Sequence, residues 1–122
     1  MQFYLVTAAL SAMLSVMLGA FAAHGLKSRI SEAMLVTFQT GVQYQFYHSL
    51  GLVLIVLLYR QQPHGLMLWS GAFMLAGIVL FSGSLYALAL SQFKWFGPIT
   101  PLGGLCFILA WLLLAIAVVK NG

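Results

Sequence analysis

The chain has 122 residues, of which 63 % are apolar and 5 % charged, with a net charge of +4. Soluble domains are roughly 45–50 % apolar and about 25 % charged, so a water-soluble fold is excluded for want of polar surface. The basic residues are dispersed and form no footprint for DNA or RNA, so a nucleic-acid partner is excluded as well.

Four stretches free of charged side chains occupy most of the chain, at about 5–23, 41–59, 66–90 and 102–119. Each reaches or approaches the roughly 20 residues a helix needs to cross a bilayer's hydrocarbon core. The charged residues Lys27, Arg29, Glu32, Arg60, Lys94 and Lys120 all fall between or after them. This pattern predicts an all-α membrane protein, with four transmembrane helices in one compact bundle and residues 1–122 as a single domain. The lipid bilayer is its first partner.

The first span carries Thr7, Ser11, Ser15, Gly19 and Ala23 at four-residue intervals. Small side chains let helix backbones approach closely, which matters where no hydrophobic effect drives helices together. The ridge is expected to face protein. Ala20-Phe21-Ala22 resembles a cleavage site, yet no Lys or Arg precedes the apolar run and the run is long for a signal core, so the segment is expected to be retained.

His24 closes the first span, and a polar connection runs to Ser31. Ser31 is suited to cap the next helix, and Glu32 in its first turn is favoured by the helix dipole. A helix from Glu32 to Tyr59 would be about 42 Å long against about 30 Å of hydrocarbon. Its first turns therefore predict an interfacial helical extension before the second span, with Met34, Leu35, Phe38 and Val42 on one face.

Within the second span Gln43, Tyr44, Gln45, Tyr47 and His48 form the one dense polar cluster. Polar side chains in hydrocarbon are costly unless paired, so they are expected to meet other helices or water. Candidate partners are Ser82, Ser84 and Tyr86 of the third span, with His24 approaching from the first. A neutral His48 ring has one donor and one acceptor to satisfy. Its expected partners are Tyr44, Gln45, Ser82, Ser84, Tyr86 and, in competition, His24.

Arg60 to Gly65 is a tight polar turn punctuated by Pro63. Ser91 to Pro101 holds Phe93, Lys94, Trp95 and Phe96, the aromatic and basic mixture that headgroups select. Thr100-Pro101 reads as an N-cap followed by proline at the first helical position. Cys106 is the only cysteine and excludes an internal disulfide. Lys27, Arg29 and Lys94 on one side outnumber Arg60 and Lys120 on the other, which places both termini outside.

Enzymatic signatures are missing. There is no aspartate and only one glutamate, so paired carboxylates are excluded. Two histidines fall short of the ligands zinc takes, and no cofactor is implied, although a bis-histidine haem is chemically open.

Four motifs occur in order: Gly19-Ala-Phe-Ala-Ala-His24-Gly-Leu26, Gly41-Val-Gln-Tyr-Gln-Phe-Tyr-His48, Phe81-Ser-Gly-Ser-Leu-Tyr86 and Gly97-Pro-Ile-Thr-Pro-Leu-Gly-Gly104. Together they span nearly the whole chain and resemble the YgdD-like family of small bacterial inner-membrane proteins, a domain-of-unknown-function family with distant eukaryotic relatives. Ala22 stands where the family usually has glycine, and Gly41 where alanine is commoner. The resemblance implies a four-helix, multi-pass protein of the bacterial cell membrane and carries over no catalytic residue.

The reading is a non-catalytic structural or accessory membrane protein whose polar cluster His24, Gln43, Tyr44, Gln45, Tyr47, His48, Ser82, Ser84 and Tyr86 holds the helices together. Two alternatives stay open: a carrier or channel subunit with a path lined by His24, Gln45 and His48, and a haem- or metal-binding redox protein. A homo-oligomer or another membrane-protein partner is compatible with each.

Overall fold

A computed structural model describes all residues, Met1–Gly122. It contains four long apolar helices: α1 (Gln2–Leu26), α2 (Glu32–Gln61), α3 (Gly65–Ser91) and α4 (Ile99–Asn121). There is no strand, and the helices satisfy their backbone groups internally, as hydrocarbon demands.

The connections follow local chemistry. Ser31 caps α2 by accepting a hydrogen bond from the Met34 amide at 3.2 Å, with Glu32 in the first turn. His64 caps α3 through Nδ1, which accepts from the Leu66 amide at 3.0 Å. Gln92 ends α3 in the left-handed region, φ 62°, and a single 3₁₀ turn, Lys94–Phe96, leads toward α4. The expected cap at Thr100 is corrected. Helix α4 begins at Ile99, one residue before Thr100, whose hydroxyl instead meets Ser84 Oγ at 2.5 Å. A pairing across two helices removes two polar groups from lipid at once, which a local cap cannot do.

Helix α2 is the most buried of the four and packs against both α1 and α3, while α3 also packs along α4. The chain ends lie at one end of the bundle. There the Tyr4 hydroxyl donates to the Leu68 carbonyl at 2.7 Å, and Gln62 and Asn121 exchange two side-chain-to-backbone hydrogen bonds of 2.9 Å. Leu52, Ile55, Met74 and Ala110 centre the larger apolar core near that end. A smaller core of Ala22, Leu26, Phe38 and Ala89 closes the opposite end. The face of the α2 extension is therefore not left to headgroups, since Met34, Leu35 and Val42 pack onto this second core.

Two helices widen into π geometry, at Ala22–Leu26 and at Ile78–Ser82. The second segment lies where α3 is squeezed between α2 and α4. A Cβ at Gly103 would come within 2.2 Å of the Phe81 backbone nitrogen, so only glycine lets α4 lie this close. Opposite it, the Ser82 hydroxyl donates to the Gly41 carbonyl of α2 at 2.6 Å. An α3 pinned on both sides is a place where a helix takes up an extra residue per turn.

The small-residue ridge of α1 turns with the helix. Ala8, Ser11, Ser15 and Ala22 are buried, Thr7 and Gly19 half-buried, and Ala23 exposed. Each four-residue step overshoots a 3.6-residue turn by about 40°, so over four steps the ridge rotates by about 160°. Ala22 takes the seam position that strict four-residue counting gives to Ala23.

Candidate functional site

Of the nine polar residues expected to cluster, six fall into an inner group, a stacked histidine and an outer group, while His24, Ser82 and Ser84 lie apart. The inner group centres on Gln45, which is buried between α1 and α3. Its Nε2 donates to the Ser11 carbonyl at 3.0 Å and lies 3.3 Å from Ser11 Oγ, while Oε1 accepts from the Tyr86 hydroxyl at 2.6 Å. One amide thus joins three helices.

Two more hydroxyls complete this clasp. Ser49 Oγ lies 2.7 Å from Ser11 Oγ and 2.6 Å from the Gln45 carbonyl. Ser15 donates to the Ser11 carbonyl at 3.0 Å. No buried side-chain nitrogen or oxygen in the protein lacks a partner. Each buried polar group is thus paired in place, the condition under which such groups persist in hydrocarbon.

Ser82 and Ser84 lie on α3 but serve other contacts, to the Gly41 carbonyl and to Thr100. Ser70, near the start of the same helix, donates to the Ala110 carbonyl of α4 at 2.6 Å. Ser49 and Ser70 escape a reading that looks for dense polar runs. Ser49 has one signal: it stands four residues after Gln45 and so shares its helix face.

His48 meets a different helix from Gln45. Its ring stacks on Phe107 of α4 at a centroid distance of 3.5 Å and 10° between planes, with Trp111 edge-on at 5.9 Å. Nδ1 lies 2.7 Å from the Tyr44 carbonyl, which can only accept, so Nδ1 carries the hydrogen. The partner is thus backbone, where a side chain was expected. Nε2 makes no hydrogen bond, and because no buried polar atom is unpaired, it reaches the bundle surface.

His24 does not join this group. It is exposed in the wide last turn of α1, and the aromatic neighbours of His48 are Tyr44, Phe107 and Trp111. The two histidines leave from different helix faces, which removes the approach that counting turns suggested. No three His, Cys, Asp or Glu residues come together.

Gln43, Tyr44 and Tyr47 form the outer group. All three are exposed on the outward face of α2. The Tyr44 ring leans on Phe81 at 4.6 Å and lies 5.8 Å from the Tyr47 ring. A groove of about 290 Å³ runs beside them, lined by Ser15, Val16, Val42, Gln43, Phe46 and Tyr47. At the terminus-bearing end a second cavity of about 360 Å³ lies among Leu58, Gln61, Gln62, Met67, Val118 and Asn121.

Residues 18–104 match a family described as protein of unknown function (DUF423). Over 98 % of its length the chain is 46 % identical to the UPF0382 membrane protein YwdK of Bacillus subtilis, of which it covers 98 %. It is 43 % identical to a UPF0382 membrane protein of Staphylococcus epidermidis over 98 % of both chains. To the UPF0382 inner membrane protein YgdD of Escherichia coli the identity is 36 %, over 98 % of this chain and 91 % of that protein. No solved structure matches the chain.

Proposed function

The chain belongs to the DUF423 family of multi-pass bacterial cell-membrane proteins, and we propose that it is a non-catalytic accessory protein whose inner polar groups hold its helices together. The observation that carries this reading is the pairing of both ends of the Gln45 amide. Its amide nitrogen is held by Ser11 of α1 and its oxygen by Tyr86 of α3. A group lining a transport path must exchange partners with cargo or water, whereas both ends of this one are engaged by the protein itself.

Chemistry supports the same reading. Glu32 is the only acidic side chain and sits at the exposed start of α2, so no carboxylate orients a histidine or shares a proton with one. A carrier would need His24, Gln45 and His48 along one wall. Instead Gln45 faces α1 and α3, His48 lies against α4, and His24 is exposed at one end.

Purified protein in sealed vesicles tests the proposal, with proton and potassium flux read by an internal pH dye and by an ion electrode. Flux should equal that of protein-free vesicles, and the optical spectrum should show no band beyond the aromatic region. A flux that disappears in Gln45→Leu, or a stoichiometric haem band, would overturn the reading.

A further inference from the structure

All four helices turn hydrocarbon outward: Val6, Leu10 and Met17 of α1, Leu50 and Leu54 of α2, Val79 of α3, and Ile108 and Leu112 of α4 are exposed. Helix α2 adds polar groups among them. Its exposed face presents Gln43 and Tyr47 with no hydrogen-bond partner, beside the Tyr44 hydroxyl and the free Nε2 of His48. These groups are not at a headgroup. Val42 lies against Gly19, and Gln45 against Ser11, so Gln43 is level with Ser15, near the middle of the 25-residue α1. An amide that meets acyl chains at that depth is costly, and acyl chains offer it nothing to bond.

The same face carries a second signal. From Val36 to Leu57 the positions of this face advance in alternating steps of four and three, through the half-buried Thr40 and the exposed Gln43, Tyr47, Leu50 and Leu54. That is the heptad spacing by which two helices pack along a shared seam, with one polar residue fixing register. The groove lined by Val42, Gln43, Phe46 and Tyr47 runs alongside and offers a hole for a side chain of a facing helix.

We propose that this face of α2 is the interface of a parallel two-fold dimer, and that the occupant is a second copy of this chain. Copies inserted by one route share one orientation, so their symmetry axis lies along the membrane normal and each depth on α2 meets itself. Only groups that can pair with their own image fit such a seam. A glutamine amide does, having a donor and an acceptor, and so does a tyrosine hydroxyl. A charge would repel its image, and α2 has none between Glu32 and Arg60. Gln43 therefore pairs with Gln43 of the second copy, with the Tyr47 hydroxyls next to it.

Cysteine cross-linking of the full chain in vesicles of purified protein tests this, with Cys106→Ala as background. Leu50→Cys keeps Gln43 intact and lies on the seam, so oxidation should convert it to dimer. Ile108→Cys and Val79→Cys face elsewhere and should stay monomeric. In the otherwise unaltered chain Gln43→Leu should weaken dimerisation about tenfold, as the loss of paired amides in a membrane implies. Its thermal stability as a monomer in detergent should match that of the parent. Three results overturn the proposal: no dimer from Leu50→Cys, equal dimer from Ile108→Cys, or Leu50→Cys adducts that form only with a different protein in native membranes.

Discussion

The Tyr86 hydroxyl donates to Gln45 Oε1 at 2.6 Å, and through this one bond α3 is tied to the amide that also holds α1. The two residues are 41 positions apart, and their bond crosses from α2 to α3. Their pairing explains why a helix as polar as α2 can be the most buried of the four.

Gln45→Leu and Tyr86→Phe should each lower the unfolding temperature in detergent, and their effects should not add. Hydrogen bonds between membrane helices contribute about 0.6 kcal/mol on average and about 1–2 kcal/mol at most, so the coupling in a double-mutant cycle should fall in that range. Strictly additive losses would show that the bond contributes nothing.

Adjacent glycines of α4 should respond in opposite ways. Gly103→Ala places a methyl group within 2.2 Å of the Phe81 backbone, which cannot move without α3. It should destabilise the fold by about 1–3 kcal/mol, the usual cost of overpacking. At Gly104 the same methyl meets Phe81 at 3.8 Å, ordinary contact, and Gly104→Ala should be nearly silent. Equal melting temperatures for the two variants would contradict the packing of α3 on α4.

The rotation of the α1 seam separates two positions of the apparent ridge. Ser15 is buried against α2 and Ala23 is exposed, although both fit the four-residue spacing. Ser15→Leu should therefore lower thermal stability clearly, and Ala23→Leu should leave it unchanged. The reverse order would place the wrong face of α1 against the bundle.

Much of this fold is legible from hydropathy, because the bilayer allows few solutions to a chain with four uncharged runs. Glycine and serine positions are less so. Nothing local distinguishes Gly103 from Gly104, since the difference lies in which one meets a backbone 22 residues away. Polar density likewise locates Gln45 and His48 on one stretch of α2 but not their directions. Three residues apart on a helix, they diverge by about 60°, enough to send one toward α1 and α3 and the other toward Phe107 of α4. Histidine also found a solution inside its own helix, the carbonyl four residues back, which no search for side-chain partners would find.

Both chain ends should lie on one side of the membrane. The pairing of Gln62 with Asn121 and of Tyr4 with the Leu68 carbonyl gathers the start of α1, the end of α2, the start of α3 and the end of α4 at one end. Lys27, Arg29 and Lys94 mark the other end, which the positive-inside rule assigns to the cytoplasm. A fluorescent reporter that matures only in the cytoplasm should stay dark when fused to either terminus. One bright and one dark fusion would contradict the four-span topology, and two bright ones would reverse the orientation.

The clasp around Gln45 should be sealed against water, and Ser49 is the place to measure it. Ser49 is fully buried at 0 % exposure and touches both Ser11 and Gln45, and cysteine is close to serine in size. In a Cys106→Ala background, Ser49→Cys can be challenged in sealed vesicles with a charged, membrane-impermeant thiosulfonate from either side. A dry clasp predicts no labelling over a period in which Ser28→Cys, exposed at a bundle end, reacts to completion. Labelling of Ser49→Cys at a comparable rate would mean that water reaches the centre of the bundle, and a hydrated path would replace the structural role.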